Sequence, residues 1–342
     1  MSRLETSPGK AARRRGGQAL PRTVAPRPSA AGLTGAGAPA PADAAGAVAA
    51  RVVMAPVKAA PPPWSGKQLR RLDGDALLRR MVGASLDQVE PNAAAIARGS
   101  RDPEHVHQLR VGLRRLRSAA RGMAPFAADM PHGWEPAVMA AFDALGQSRD
   151  RFVRATVLAP ELRAAGATFV DDAPPAEEDA RALALRLGGA AFTGAVQRLR
   201  AFAEGAPGRP PGGDGSGLAR LVGRLRKLSR QVTRRARRFD ELPFEAQHRT
   251  RKRLKRLRYL AEFAAPAFVR DDVRRWLRHV SQAQDALGRH IDRVLADRHF
   301  AELAARRPDA WFAVGWLRAQ SERSWREARE ALLRLREADG FW

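Results

Sequence analysis

Two stretches of this chain, HQLRVGLRRLR at residues 107–117 and HRTRKRLKRLR at 248–258, carry a histidine followed by cations at matching intervals. His107, Arg110, Arg114, Arg115 and Arg117 fall on His248, Arg251, Lys255, Arg256 and Arg258 at a constant offset of 141 residues. At about 100° per residue on a helix, 107, 110, 114 and 117 share an arc of roughly 80°, and the second copy repeats it. Arg121 extends the first stripe, while Arg115 and Arg256 lie off it. Like charges at i,i+3 and i,i+4 destabilise a helix by a few tenths of a kcal/mol per pair, so such a stripe faces either water or an anion. Guanidinium groups fork onto phosphate oxygens, and an imidazole beside phosphate donates a hydrogen bond and takes up a proton more readily. A solvated charged face and a histidine packed near a helix start are the plainer alternatives. Repetition with the histidine in phase favours polyanion binding over both.

A second echo follows each stripe: LGQSRD (145–150) matches LGRHID (287–292) at an offset of 142, aligning Gly146 with Gly288 and Asp150 with Asp292. Metal-assisted phosphoryl transfer needs carboxylates beside its substrate. Asp150 and Asp292 qualify by position, with Glu262 and Asp285 nearby, but pairing with arginines is the more ordinary use for them. A third stripe, Arg220, Arg224, Lys227, Arg234 and Arg238, shares one face of residues 220–239 opposite Leu221, Leu225, Leu228 and Val232. The other histidines (105, 132, 279, 290 and 299) are dispersed and receive no role.

Helices must present these residues. From about residue 67 leucine, alanine and arginine dominate, tyrosine occurs once, and β-branched residues are sparse. The pattern predicts helices near 73–98, 103–124, 134–158 and 177–204, a Gly/Pro break at 204–217, and helices near 218–240, 244–268, 272–300 and 308–338. Leu109, Leu113, Leu116 and Ala120 form the expected core-facing arc of the first stripe helix, and Leu254, Leu257 and Ala261 that of the second. The organisation expected is a repeat over about 67–204, a linker at 205–217 and a second repeat over 218–340.

Residues 1–65 hold 18 Ala, 10 of the 24 Pro and only two acids, Glu5 and Asp43, and are expected to form a disordered basic tail. An arginine-rich, acid-poor start also suits a transit peptide, although this one lacks an amphipathic period. The chain carries 61 Lys+Arg against 36 Asp+Glu, a net charge of +25. That excess favours a polyanionic partner: nucleic acid, an anionic membrane surface or polyphosphate. A GC-rich genome explains arginine over lysine but not base over acid. With no cysteine, disulfides and thiolate metal sites are excluded. No window approaches a membrane span, and a cytoplasmic location is expected.

The doubled pattern, with KRLRYLAEF (255–263) in the second copy and LG…D after each, resembles the CHAD domain, the conserved-histidine α-helical domain. The resemblance covers about residues 67–340. It implies an all-α fold of two four-helix bundles related by a pseudo-twofold axis, and a basic surface and central pore that bind inorganic polyphosphate at polyphosphate granules. It further implies that His107, Arg110, Arg114, Arg117, His248, Arg251, Lys255 and Arg258 line the site, with no cofactor, metal or catalytic residue. Arg121 and the third stripe join them by phase alone. Many relatives carry a triphosphate-tunnel domain with an E-x-E-x-K strand, which residues 1–65, with one Glu, cannot supply. Nonspecific nucleic-acid binding accounts equally well for the charge, but the stripes lack stacking aromatics apart from Tyr259. A polyphosphate-processing enzyme is the third possibility.

Overall fold

Helix α1 (Gly66–Arg71) begins at a reciprocal cap: the Ser65 hydroxyl accepts from the Gln68 amide, and the Gln68 side chain accepts from the Ser65 amide at 2.8 Å. Asp73 caps α2 (Gly74–Ala97) by accepting from the Ala76 amide at 2.7 Å. There follow α3 (Pro103–Met123), α4 (Trp134–Val153), a π-turn at 154–158 and α5 (Ala159–Ala164). Then come α6 (Glu177–Gly188), α7 (Ala190–Glu204), α8 (Gly217–Thr233), α9 (Phe244–Ala264), α10 (Arg270–Ala304) and α11 (Trp311–Glu337). This computed structural model describes residues 54–171, 177–206 and 216–342, and among them the fold is all-α.

Helices α2, α3, α4, α6 and α7 pack among themselves, as do α8, α9, α10 and α11, and α3 against α9 joins the two sets. The expected core arcs are buried throughout: Leu109, Leu113, Leu116 and Ala120 on α3, and Leu254, Leu257 and Ala261 on α9. One continuous apolar core runs through both sets, so the stripe helices share their inner faces while their cations are left to the other side. At Gly112 a Cβ would stand 2.9 Å from Val89, which lets α3 lie close on α2. A smaller apolar cluster, including Leu158, Leu162, Phe300, Val314 and Leu317, ties α5 to the far ends of α10 and α11.

Three elements differ from expectation. The single helix expected over 177–204 is broken at Gly189, whose ψ of 151° is extended. The Gly188–Gly189 pair supplies no side chain to hold a helix and loses the most backbone entropy in one. The helix expected to end at 158 passes through the π-turn into α5, where Pro160 sits in the first turn and its missing N–H costs no bond. The basic tail was expected to run to residue 65. Residues 1–53 lie outside the described ones, but 54–65 are an extended strap packed on the helices. Val57 exchanges hydrogen bonds with the Asn92 amide (3.2 and 2.8 Å), and buried Trp64 stacks on Phe263 with ring centroids 6.0 Å apart. Trp64 adds an apolar surface large enough to order this last stretch. Of the expected linker, 207–215 lie outside the described residues.

Candidate functional site

Helix α3 packs against α9, and the N-terminal halves of the two stripes act on each other. The groups acting most strongly on the Lys255 amine are Arg251 on its own helix, Arg114 and Arg110 on α3, and Asp292 on α10. Among the described residues, half-buried Lys255 and half-buried Arg114 have no acid within ion-pair distance, and the Arg114 Nε is buried without a hydrogen-bond partner. Burial first, and then the Arg251 and Arg114 charges, push the Lys255 amine down to about 6.

The second echo is the floor of this cluster. A Cβ at Gly146 would meet the Arg110 guanidinium at 3.3 Å, and one at Gly288 would meet that of Arg251 at 3.6 Å. In both halves, then, the arginine of the H-x-x-R pattern lies over the glycine of the LG…D pattern. Arg251 donates to both Asp292 oxygens, at 3.1 and 3.3 Å, and Arg110 acts on Asp150. Burial raises the Asp150 carboxyl above its ordinary range; Arg110 opposes this, and the nearby Asp292 charge adds to it. The two carboxylates therefore approach each other across the halves. Arg110 also lies 4.6 Å over the Phe142 ring and donates to the Phe142 carbonyl at 3.2 Å, and Arg114 lies 5.6 Å over the same ring.

The histidines flank this cluster. His248 is half-buried 5.9 Å from the Phe244 ring, and its imidazole is held below its ordinary value by burial and then by Lys252 and Arg251. His107 is half-buried one turn before Arg110.

The C-terminal halves of the stripes have a different environment. Arg117 and Arg121 both bind Glu135 of α4, at 2.7 and 2.8 Å. Burial acts to raise that carboxyl, but hydrogen bonds from the two arginines hold it below its ordinary range. Arg258 binds Glu262 at 2.9 Å. The two cations off the stripe are interface residues. Arg115 is buried with its guanidinium 5.0 Å over Phe263, and Arg256 is desolvated facing Arg121 and Arg117.

On the third stripe Arg220 lies 4.5 Å over Phe126, Arg224 is half-buried, Lys227 and Arg234 are exposed, and Arg238 binds Glu241 at 2.6 Å. None of these is among the groups that act most strongly on Lys255. Of the carboxylates considered for phosphoryl chemistry, Asp292 and Asp150 face arginines, Glu262 holds Arg258, and Asp285 is exposed on α10.

Phe142 was missed by sequence reasoning. The echo in fact begins earlier, with DALG at both 143–146 and 285–288, and Phe142 immediately precedes the first copy where Gln284 precedes the second. The buried histidines left without a role are structural. His290 bridges Ser324 and Gln247, each at 2.9 Å, and burial pushes its imidazole down to about 4. His105 lies 3.0 Å from Asn92, the residue that holds the strap.

The sequence matches the CHAD domain over residues 80–301, and the chain belongs to that family. Its structure is similar to the crystal structure of the CHAD domain from the plant Ricinus communis. The TM-score is 0.65 at 26% identity, covering 82% of this chain and 96% of that one. No curated protein matches the chain.

Proposed function

We propose that this protein binds inorganic polyphosphate at the cluster formed by Arg110, Arg114, Arg251 and Lys255, flanked by His107 and His248. One observation carries the reading: two helices far apart in sequence bury the Lys255 amine near Arg251, Arg114 and Arg110, so that burial first and those charges next drive it down to about 6, with Asp292 the acid acting most strongly on it. A linear polyanion would replace that repulsion with charge-assisted hydrogen bonds. Membership of the CHAD family supports the same ligand. On this reading the protein is a binding module, in the cytoplasm and at polyphosphate granules, rather than an enzyme. The engagement of Asp150 and Asp292 by arginines supports binding over catalysis. Among the described residues no helix is long and apolar enough to cross a membrane.

The test is titration of the full chain with long-chain polyphosphate across a salt series, with duplex DNA as competitor at equal phosphate concentration. Polyphosphate is expected to bind tightly, with an affinity that falls linearly in log[salt], and to resist the DNA. Displacement by DNA at equal phosphate would assign the cluster to nucleic acid instead.

A further inference from the structure

The two stripes hold their leading arginines by different means. On α3, the Arg110 guanidinium lies 4.6 Å over the Phe142 ring and donates to the Phe142 carbonyl at 3.2 Å, and the Arg114 guanidinium lies 5.6 Å over the same ring. Gly146, one turn further along α4, leaves room for this, since a Cβ there would stand 3.3 Å from the Arg110 Nη1. Phe142 itself is half-buried and packs against the main apolar core, so its ring is a fixed platform. Among the described residues Arg114 has no acid within ion-pair distance and its Nε is buried without a hydrogen-bond partner, which leaves the ring as the contact that holds it. On α9, by contrast, Arg251 is fixed by the Asp292 carboxylate at 3.1 and 3.3 Å. The residue aligned there with Phe142 is Gln284, whose Oε1 is buried without a hydrogen-bond partner and so does not engage Arg251.

We infer that Phe142 is a positioning residue of the polyphosphate site, which makes the α3 stripe the half that anchors the chain. This rests on the polyphosphate reading above and assigns that site its order of engagement. An aromatic face attracts a guanidinium through its quadrupole and leaves the formal charge uncancelled. A carboxylate also orders an arginine, but it neutralises the charge and occupies the N–H donors that a phosphate needs. Arg110 and Arg114 are thus held in place with their charge intact, whereas a phosphate reaching Arg251 competes with Asp292. Arginine is a long side chain whose ordering weakens binding when it is deferred until the ligand arrives. The ring removes that cost for two arginines at once.

The experiment is titration of the full chain with long-chain polyphosphate across a salt series, comparing the wild type with Phe142→Leu, Phe142→Trp and Phe142→Gln, each checked for folding by circular dichroism. Phe142→Leu keeps an apolar side chain in the core and removes the ring, and is expected to weaken binding at fixed salt by about tenfold. The slope of log affinity against log[salt] should stay as in the wild type, because no cation has been removed. Phe142→Trp, which keeps an aromatic face, should bind within about twofold of the wild type. Phe142→Gln places the second-half residue in the first half and should lose as much as Phe142→Leu, which keeps the test intact if leucine disturbs α4. Wild-type affinity in both Phe142→Leu and Phe142→Gln overturns the proposal, as does a loss in Phe142→Trp as large as theirs, since packing volume would then be what matters. Arg114→Ala with Lys255→Ala, run alongside, separates this failure from that of the polyphosphate reading. Binding lost in that pair but kept in every Phe142 variant retains the site and removes the role of the ring; binding kept in that pair removes the site itself.

Discussion

Helix α11 and the α3–α9 cluster are both dense in arginine, and they dispose of the charge in opposite ways. On α11, Arg323 meets Glu327 at 3.1 Å, Arg334 meets Glu330 at 3.6 Å and Arg326 pairs with Glu322, each four residues away on the same exposed face. Arg289 and Arg318 pair across the α10–α11 hairpin with Glu327 and Asp297. Such pairs contribute about 0.2–1 kcal/mol each and leave little unbalanced field. In the cluster, among the described residues, Arg114 and Lys255 have no acid at ion-pair distance, and Asp292 acts on both Arg251 and Lys255. Base content is therefore not what sets the cluster apart from α11; the pairing of its cations is.

That contrast gives the largest expected effect. Arg114→Ala with Lys255→Ala, and Arg326→Ala with Arg334→Ala, each remove two cations from the same chain. With charge-assisted hydrogen bonds at about 1.5–3 kcal/mol each, the first pair should weaken polyphosphate binding by about a hundredfold or more at fixed salt. The second should change it less than about threefold, since exposed charges beyond a Debye length are screened. Comparable losses from both pairs, measured in variants of unchanged circular dichroism, would reduce the site to general basicity.

A tenfold effect is expected from pH. In the free protein the Lys255 amine lies at about 6, and a bound polyanion raises it. The protonated form is the one favoured by binding, so the contribution is fully present below about pH 6. It falls as pH rises above 6, by at most about tenfold per unit, until the raised value of the complex is reached. His248, whose imidazole is also held low by burial and neighbouring cations, acts in the same direction. Isothermal titration in two buffers of different ionisation enthalpy should register proton uptake on binding near pH 7.5, and Lys255→Arg should abolish most of it. Binding that is flat from pH 6 to 8 would place the polyanion away from Lys255.

How much of this was legible beforehand follows from which forces are local. The leucine arcs of α3 and α9 were readable because helical period alone decides which side chains share a face, and every one of those positions is buried. The echoes at 107–117 and 145–150, with their copies, gave matching phases in each half. That Arg110 lies over Gly146, and Arg251 over Gly288, depends on how α4 docks on α3 and α10 on α9. The α6–α7 break was missed because a glycine inside a helical pattern is often tolerated, and only ψ at Gly189 reveals that the chain turned there. The proline-rich surroundings of Trp64 place it in the tail by sequence; its partner Phe263 is 199 residues away. By period alone the stripes are uniform, although their far halves are neutralised by Glu135 and Glu262, whose facing no periodicity encodes.

The division within each stripe leads to the smallest effect, and one of opposite sign. If pairing is what distinguishes α11 from the cluster, then Arg117 and Arg121 are held in the α11 condition by one carboxylate. Glu135→Gln removes that charge while keeping the shape of the side chain and one hydrogen-bond acceptor. The half-exposed ion pairs lost contribute under about 1 kcal/mol, so the melting temperature should fall by no more than a few degrees. Arg117 and Arg121, which face Arg256 across the α3–α9 seam, would then extend the unbalanced cations from Lys255 towards the C-terminal end of α3. Polyphosphate affinity should rise by about threefold, and the slope of log affinity against log[salt] should steepen by close to one phosphate contact. Short chains, which occupy only the Lys255 end, should gain less than long ones. A steeper slope for long chains alone would show that the two halves form one track once the glutamate charge is gone; no change at any length would mean that Arg117 and Arg121 serve α3–α4 packing.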